Sequence, residues 1–280
     1  MVEIICKKII AYSLGTRIVQ LELKSPLIAK KTLPGQFVVL MVSEKGERIP
    51  LTVVDKDEER GTITLIFQEA GFTTRSLGSL KEGDFLYALV GPLGNYTEIK
   101  NYGKVALVGG GVGIAEIYPV AKALRKENNH LITILGARTK DLLILEKELK
   151  QVSQELYVTT DDGSYGRKGF VTDVLQELLT IHYALNAIEL IYAVGPVPMM
   201  KGVSQIAKDR GIKAIVSLNA LMVDATGMCG CCRVTVAGKT KFSCIDGPEF
   251  EAQSIDWEEL GKRTKMYQDK ETHICKLYNR

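Results

Sequence analysis

The chain has 280 residues, 46% of them hydrophobic, and a formal net charge of +3. This length is too great for one small domain and suits two compact domains with an added module. The small net charge, without a block of lysines and arginines, argues against a nucleic-acid partner. No apolar stretch is long enough to span a membrane and the N-terminus lacks a signal-peptide layout, so we expect a cytoplasmic protein with no membrane partner.

Residues 1–98 have the pattern of a small antiparallel β-barrel. Short runs of β-branched residues are separated by turn signals such as Leu33-Pro34-Gly35 and Glu59-Arg60-Gly61. Several short strands at regular spacing are typical of barrels. The predicted strands are Ile4–Ile5, Arg17–Leu23, Gln36–Val42, Ile63–Phe67 and Phe85–Val90, and Leu77–Leu80 is predicted to end a short helix.

Two segments of this barrel are candidate binding sites. We interpret Arg48-Ile-Pro50-Leu51-Thr52 as a site rather than a strand, because an arginine can neutralise a pyrophosphate and Thr52 can hydrogen-bond a flavin ring. A solvated strand end is the alternative. Gly71-Phe-Thr73-Thr74 precedes the short helix, where hydroxyls and amides at a helix N-terminus can face the same phosphates.

Residues 99–218 alternate strand and helix, which indicates a doubly wound α/β domain. The change of pattern begins at Lys104. The predicted strands are Val105–Val108, Leu131–Leu135, Glu155–Thr159, Leu190–Val194 and Ala214–Leu218. Helices are predicted from the glycine-rich turn through Leu124, from about Asp141 to Lys150, from Val171 to Thr180, and after Met200.

The candidate nucleotide site lies at the carboxyl ends of these strands. Gly109-Gly110-Gly111-Val112-Gly113 joins a strand to a helix, where backbone amides bind a pyrophosphate; a tight structural turn is the alternative. Gly195-Pro196, with Met199 following, ends another strand. Asp161-Asp162 would repel a 2′-phosphate and favours NAD(H), whereas Arg138 favours NADP(H). We expect a pyridine nucleotide, with NAD(H) preferred over NADP(H).

Residues 219–280 form a module built around clustered cysteines. Asp224-Ala-Thr-Gly-Met-Cys229-Gly-Cys231-Cys232 is followed by Cys244. The spacing Asp-x4-Cys-x2-Cys matches the plant-type ferredoxin pattern with aspartate in place of the first cysteine. We predict a [2Fe–2S] cluster held by Asp224, Cys229, Cys232 and Cys244, with zinc as the alternative metal and buried free cysteines as the alternative without one. Cys231 is the alternative to Asp224 as fourth ligand.

Two further features complete this module. A hairpin, Arg233–Val236 with Thr240–Phe242, separates Cys232 from Cys244, and a charged tail from Trp257 is predicted to begin as a helix. Clustered rather than dispersed cysteines favour a metal site in a reducing compartment over a disulfide framework.

Five motifs appear in the order expected of the ferredoxin–NADP reductase superfamily, which the chain resembles. They are Arg48-x-Pro-Leu-Thr52, Gly71-x-x-Thr74, Gly91-Pro-Leu-Gly94, Gly109–Gly113 and Gly195-Pro-Val-Pro-Met-Met200. The cysteine module resembles the electron-transfer subunit of dihydroorotate dehydrogenase, which carries FAD and a [2Fe–2S] cluster. It resembles more closely the small subunits of NADH-dependent reduced ferredoxin:NADP oxidoreductases, also known as sulfide dehydrogenase subunits, through Ser217–Asp224, Gly227–Gly230 and Phe242–Phe250.

Aspartate at position 224 is what the second family is expected to show, whereas the dihydroorotate family keeps cysteine there. Cys231 departs from the pattern, since a small residue is expected between the two ligand cysteines. The last twenty or so residues add nothing to the resemblance.

The resemblance implies an oxidoreductase subunit of a flavin-based electron-bifurcating complex. NAD(H) would exchange hydride with FAD on the barrel, and the [2Fe–2S] cluster would accept single electrons. A larger, glutamate-synthase-like flavoprotein subunit with [4Fe–4S] clusters would complete a heterodimer and handle NADP(H) and ferredoxin. The alternatives are the electron-transfer subunit of dihydroorotate dehydrogenase and a non-catalytic zinc- or nucleotide-binding module.

Overall fold

The computed structural model describes residues 1–182, 188–267 and 270–274. The chain divides into two compact units. The first unit contains residues 1–95, 219–248 and the chain from 256 onward, and the second contains residues 96–218 and 249–255. The three domains that the sequence predicts, at 1–98, 99–218 and 219–280, stay a prediction. Residues 268–269 and 275–280 of the predicted tail lie outside the described residues.

The elements follow one another along the chain in three groups. The first contains β1 (Val2–Ser13), β2 (Thr16–Lys24), α1 (Pro26–Lys31), β3 (Phe37–Met41), β4 (Arg48–Asp57), β5 (Thr62–Gln68), α2 (Phe72–Ser79), β6 (Phe85–Leu86) and β7 (Ala88–Leu93). The second contains β8 (Lys104–Gly110), α3 (Gly113–Lys126), β9 (His130–Ala137), α4 (Glu146–Val152), β10 (Glu155–Thr160), β11 (Arg167–Lys168), α5 (Val171–His182), β12 (Leu190–Val194), α6 (Val197–Asp209) and β13 (Lys213–Ser217). The third contains β14 (Arg233–Val236), β15 (Lys239–Phe242), β16 (Glu249–Glu251) and α7 (Trp257–Thr264). None of the described helices is long and apolar enough to cross a membrane.

The first unit is built on a nearly closed antiparallel barrel, as the sequence predicts. Its seven strands follow the order β6-β1-β2-β5-β4-β3-β7. Apolar side chains from these strands and from both short helices fill the interior, because alternate residues of each strand point to one face. The core includes Leu21, Val38, Leu65, Leu77 and Leu86, all fully buried.

The sequence predicts that Arg48–Thr52 form a binding site and not a strand. The second part of this prediction is wrong, because the residues do form a strand. These residues form the first half of β4, in which Arg48 lies opposite Met41 and Thr52 opposite Phe37 of β3. Pairing of β4 with β5 begins only at Val53. Pro50 is therefore tolerated, since its missing N–H faces no partner strand. Ligand binding by these residues stays a prediction.

The second unit is a doubly wound α/β sheet, as the sequence predicts. The strand order is β11-β10-β9-β8-β12-β13-β16, with β8 to β13 parallel and β16 antiparallel to β13. Helices α3 and α4 pack together, as do α5 and α6. The chain moves outward from β8 in one direction and then returns to add β12 on its other side. This reversal is the topological switch point at which open α/β sheets bind ligands.

Two helices of this unit differ from their predicted bounds. The last helix begins at Val197 and not after Met200, because Pro198 fits the first helical turn, where a backbone N–H has no intrahelical partner. The helix predicted from Asp141 is broken into a 3₁₀ turn at Lys140–Leu142 and α4. Leu142 and Ile144 both turn into the core, and this draws the intervening chain out of helical geometry.

A buried carboxyl fixes β16 to the second unit. Tyr192, fully buried in β12, donates its hydroxyl to Glu249 Oε1 at 2.7 Å, and Thr97 Oγ1 donates to the same oxygen at 2.5 Å. Burial raises the pKa of the Glu249 carboxyl, although the two hydroxyl donors oppose this shift. The native structure therefore favours the protonated carboxyl more than the unfolded chain does.

We expect Glu249→Gln to remove a pH dependence of stability. Because the native pKa of Glu249 is raised, its stabilising contribution is complete below the ordinary carboxyl pKa and is lost as pH rises through the raised value. Glutamine keeps an accepting oxygen but does not titrate. Urea unfolding from pH 5 to pH 8 should show the variant gaining stability relative to wild type as pH rises. Glu251→Gln, which changes the exposed glutamate at the end of the same strand, is the control, and an equal gain there would contradict the assignment.

Gly113, the first residue of α3, is expected not to tolerate a side chain. A Cβ there would lie 2.5 Å from Val194 O and 2.9 Å from Gly195 N, which are backbone atoms of the neighbouring strand end. Gly113→Ala should lower the free energy of unfolding by about 1–3 kcal/mol, the usual effect of overpacking. Gly261→Ala, in α7 with open space around it, should be neutral or stabilising in the same urea titration. Equal stability of the two variants would refute the steric argument.

Candidate functional site

The cysteine loop folds against the barrel within the first unit. Gly227 and Gly230 have φ of +81° and +69°, a left-handed conformation that glycine adopts without strain. A Cβ on Gly227 would also lie 2.5 Å from Ile245 Cδ1. The loop, the hairpin that follows it and β3 share one apolar cluster, which contains Phe37, Val39, Ala220, Met222, Ala225, Cys232 and Cys244.

The four predicted cluster ligands lie as two pairs. Cys232 Sγ is 3.2 Å from Cys244 Sγ, and both residues are at most 3% exposed. The Asp224 carboxylate contacts the thiol of the exposed Cys229. Among the described residues, no group of three or more His, Cys, Asp or Glu side chains is arranged around a single ion. Two pairs are instead what a two-iron cluster requires, since each iron takes two protein ligands.

The protonation of these groups suits a metal centre. Burial, and then the hydrogen bond with Cys232, raises the pKa of Cys244 to about 12. This thiol therefore loses its proton only when a cation takes its place. The backbone N–H of Thr226, 3.0 Å from Asp224 Oδ1, lowers the pKa of Asp224 and keeps the carboxylate ionised. The hydroxyl of Ser243, beside Cys244, is fully buried without a partner among the described residues, as expected where a bound group completes the site.

Cys231 also lies at the exposed pair. It is half-buried, and burial followed by contact with Cys229 raises its pKa. Both Asp224 and Cys231 thus contact Cys229, and the choice between them as fourth ligand stays a prediction.

The predicted flavin-binding residues come together at one end of the barrel. Thr73 Oγ1 donates to Glu47 Oε2 at 2.5 Å, and Glu47 immediately precedes Arg48, whose side chain is exposed at the start of β4. Thr74 Oγ1 accepts hydrogen bonds from the N–H groups of Ala70 and Gly71, both at 3.0 Å, and thereby caps α2. Phosphate binding by the first backbone amides of α2 stays a prediction, and Pro50, Leu51 and Thr52 are half-buried residues of β4.

The predicted nucleotide-binding residues meet at the switch point of the second unit. Gly109 and Gly110 are the last residues of β8, and Gly111 and Val112 form the turn into α3. A Cβ on Gly110 would collide with Met199 Sδ, and one on Gly195 would lie 2.7 Å from Met199 Cε and 3.2 Å from Gly110 Cα. Pro196 also approaches Gly110. The glycines therefore allow the turn after β8, the end of β12 and the start of α6 to come into contact.

The residues relevant to the choice of nucleotide lie on two adjoining loops. The N–H of Asp161 donates to Ala137 O at 3.1 Å and that of Asp162 to Arg138 O at 3.3 Å, so the loops after β9 and β10 are bound together. Asp162 accepts hydrogen bonds from the N–H and hydroxyl of Ser164, which lower its pKa. Its negative charge is thus retained beside Arg138, and both side chains are exposed.

Sequence reasoning did not single out several residues of these sites. In the barrel it missed Glu47, which takes the Thr73 hydroxyl. In the nucleotide loops it missed Lys140, whose N–H donates to Ser164 Oγ at 2.8 Å and whose ammonium lies 5.3 Å from the ring of Tyr165. The available signal was position alone, because Glu47 immediately precedes β4 and Lys140 follows the carboxyl end of β9.

Two protein-family models match the chain. One, described as the iron–sulfur cluster binding domain of dihydroorotate dehydrogenase B, matches residues 219–256. The other, an oxidoreductase NAD-binding domain, matches residues 107–205. The presence of an iron–sulfur module and of a nucleotide-binding domain is thereby confirmed. A relative from Thermotoga maritima, an electron transfer subunit homolog of dihydroorotate dehydrogenase B (NAD(+)), is 52% identical over 88% of this chain and 86% of its own length.

Solved structures extend the likeness to almost the whole chain. A structure of an NADH-dependent reduced ferredoxin-NADP oxidoreductase, described for flavin-based electron bifurcation, superimposes with a TM-score of 0.90 and 47% identity, covering 99% of this chain and 98% of the other. Ferredoxin-NADP+ reductase from Plasmodium falciparum, at 16% identity, shares only the fold, with a TM-score of 0.60 over 74% of this chain and 88% of its own.

These likenesses confirm the predicted oxidoreductase class and the predicted cofactors, FAD, a [2Fe–2S] cluster and NAD(H). The residues present fit the iron–sulfur group, because the matched domain contains both predicted ligand pairs. The chain belongs to the family of dihydroorotate dehydrogenase B electron transfer subunits and their homologues, which have the ferredoxin reductase-like fold.

Proposed function

We propose that the chain is the electron-transfer subunit of a flavin-based electron-bifurcating NADH-dependent reduced ferredoxin:NADP+ oxidoreductase. The observation that carries this proposal is the Asp224–Cys229 pair beside the buried Cys232–Cys244 pair. An aspartate at the first predicted ligand position is expected of the bifurcating family and not of the dihydroorotate family, to which the chain is also related. The 47% identity over nearly the full length of the bifurcating oxidoreductase structure supports the same choice.

In this proposal the three predicted domains divide the work. In the nucleotide-binding domain (99–218), Gly109–Gly113 and Gly195–Pro196 bind the pyrophosphate and nicotinamide portions of NAD(H), and Met199 packs beside them. In the barrel (1–98), Arg48 and the amides of α2 at Gly71–Thr74 neutralise the FAD pyrophosphate. Bound flavin supplies the conversion between a two-electron hydride and single electrons. The cluster module (219–280) holds the [2Fe–2S] cluster that takes up single electrons.

NAD(H) is the proposed nucleotide. The Asp162 carboxylate stays ionised, because its pKa is lowered by Ser164, and with Asp161 it places negative charge where a 2′-phosphate would lie. Arg138 carries the opposite charge nearby and is the residue through which NADP(H) would be accepted.

In the flavin site, a bound phosphate would have to replace Glu47 as the acceptor of the hydrogen bond from the Thr73 hydroxyl. The Glu47 carboxylate would have to move away, since a carboxylate and a phosphate repel each other.

We propose that the partner is a larger, glutamate-synthase-like flavoprotein subunit with [4Fe–4S] clusters, which handles NADP(H) and ferredoxin in the cytoplasm. Relatives described as electron transfer subunits support a partner of some kind. The surface around the exposed ligand pair also supports it, because Met228 is 88% exposed and Val223 and Ile245 about half exposed. Apolar side chains grouped in this way are typical of interaction surfaces.

The second candidate is the electron-transfer subunit of dihydroorotate dehydrogenase itself. The match of residues 219–256 to that enzyme's iron–sulfur domain and the 52% identical relative favour it. The two candidates share FAD, the cluster and NADH, and differ in the partner subunit. Co-purification of the native complex followed by identification of the second chain separates them.

Protein purified without oxygen should contain about two irons, two sulfides and one FAD per chain, the content of one [2Fe–2S] flavoprotein. Its visible spectrum should bleach on addition of NADH. Metal, sulfide and flavin analysis with anaerobic titration provides the measurement. Zinc without flavin would instead identify a binding module on a reductase-like scaffold.

A series of ligand variants tests the proposed cluster site. Cys232→Ser and Cys244→Ser should each lose the cluster, because either change removes one member of the buried pair. Asp224→Cys should keep a cluster with a shifted reduction potential and EPR signal, since a thiolate replaces a carboxylate. Cys231→Ala is the matched control and should leave both unchanged. If Asp224→Ala leaves the potential and EPR signal intact while Cys231→Ala alters them, Cys231 is the fourth ligand.

A further inference from the structure

Helix α7 brings a guanidinium onto the backbone of the cysteine loop. Arg263 Nη2 donates a hydrogen bond to Cys231 O at 2.9 Å, a contact between residues 32 positions apart in the sequence. The helix itself is firmly attached within the first unit. Asp256 caps its N-terminus through the N–H groups of Glu258 and Glu259, and the N–H of Asp256 donates to Thr235 O of β14.

This contact restrains one of the two peptide groups that flank Cys232. The carbonyl before Cys232, that of Cys231, is held by Arg263, and the carbonyl of Cys232 accepts the N–H of Ser243 at 3.0 Å. Cys232 Sγ in turn accepts the N–H of Cys244 at 3.4 Å. The orientation of Cys232 toward Cys244 is therefore fixed from both sides of its own backbone.

Two adjacent cysteines make such a restraint useful. Cys231 and Cys232 are neighbours, so a shift of the loop by one residue would exchange which thiol faces the buried Cys244. The hydrogen bond from Arg263 to the Cys231 carbonyl opposes that shift, because the shift would break a charge-assisted hydrogen bond. A second arginine acts on the preceding carbonyl, since Arg233 Nη1 donates to Gly230 O at 3.2 Å.

The same guanidinium contributes electrostatically. Arginine stays charged at every physiological pH, and Arg263 contacts the residue between Cys229 and Cys232. A cluster becomes more negative when it is reduced, so a positive charge close to its ligands stabilises the reduced state and raises the reduction potential.

We propose that Arg263 is a positioning residue of the iron–sulfur centre, which keeps Cys232 rather than Cys231 opposite Cys244 and raises the cluster's reduction potential. The inference rests on the proposed function in that the loop binds a cluster. The proposal gives a function to a residue of the C-terminal tail. The sequence motifs indicate no function for this part of the chain.

The test uses the full-length holoprotein purified without oxygen, with Arg263→Gln, Arg263→Lys and the control Lys262→Gln. Lys262 is exposed on the same helix, so its replacement removes an equal charge without the contact to Cys231. Arg263→Gln should have a lower midpoint potential in an EPR-monitored redox titration than Lys262→Gln. It should also release iron to a chelator faster, on the order of tenfold, as expected for the loss of a hydrogen bond from a charged group.

Arg263→Lys and a double variant, Arg263→Gln with Cys231→Ala, separate the two effects of Arg263. Arg263→Lys keeps the charge and should recover most of the potential. Arg263→Gln should show a mixed EPR signal from two ligand sets, which becomes a single signal when Cys231→Ala is added. If Arg263→Gln does not accumulate as folded protein, Arg263→Lys carries the test, and iron release as slow as in Lys262→Gln overturns the positioning role.

The outcomes of these experiments separate the proposed role of Arg263 from the proposed function of the protein, on which that role depends. A wild-type protein with a cluster, but with equal potentials and equal iron release in Arg263→Gln and Lys262→Gln, overturns the inference and leaves the function intact. A wild-type protein without iron overturns both.

Discussion

Two thiols 3.2 Å apart, enclosed by apolar side chains, determine how the first unit is put together. Cys232 and Cys244 lie on either side of a hairpin and pack against Phe37 and Val39 of the barrel. Burial disfavours the thiolate of Cys244, so without a cation this thiol keeps its proton and its sulfur makes only weak hydrogen bonds. Metal binding replaces that proton and ties the hairpin to the loop, which couples folding of this region to cluster insertion. The hairpin, the glycine-rich loop and helix α7 all serve to hold this pair in place.

The nucleotide-binding end of the second unit is shaped by the close approach of backbone segments and not by charged side chains. At its switch point, the turn after β8 and the end of β12 touch through glycines, and Gly113 cannot carry a Cβ without meeting Val194 O. Space for a nucleotide is created because side chains are absent there. Specificity is left to the two exposed loops after β9 and β10, where an ionised Asp162 lies beside Arg138. Loops of this kind can change without disturbing the sheet that supports them.

Sequence reasoning identified the barrel, the doubly wound sheet and the iron–sulfur module, because each has a local pattern: regular short strands, strand–helix alternation, and a cysteine spacing. It mistook the nature of Arg48–Thr52, since a proline and an arginine obscure a strand that pairs on one side only. It could not find the Tyr192–Glu249 bond or the Arg263–Cys231 contact. Those pairs are joined by tertiary folding across 57 and 32 residues, and no local pattern records such distances.

The order of elements along the chain has a consequence for how the protein is synthesised. The barrel's last apolar neighbours come from residues 219–248, and the edge strand of the nucleotide-binding sheet, β16, comes later still. A ribosome that has released only the first two hundred residues has therefore completed neither unit. Until the loop arrives, Phe37 and Val39 lack the partners that bury them, and such transiently exposed apolar surface promotes aggregation. Truncation upstream of Asn219 would make this incomplete state permanent, so the N-terminal barrel is not an independent module that can be excised at its sequence boundary.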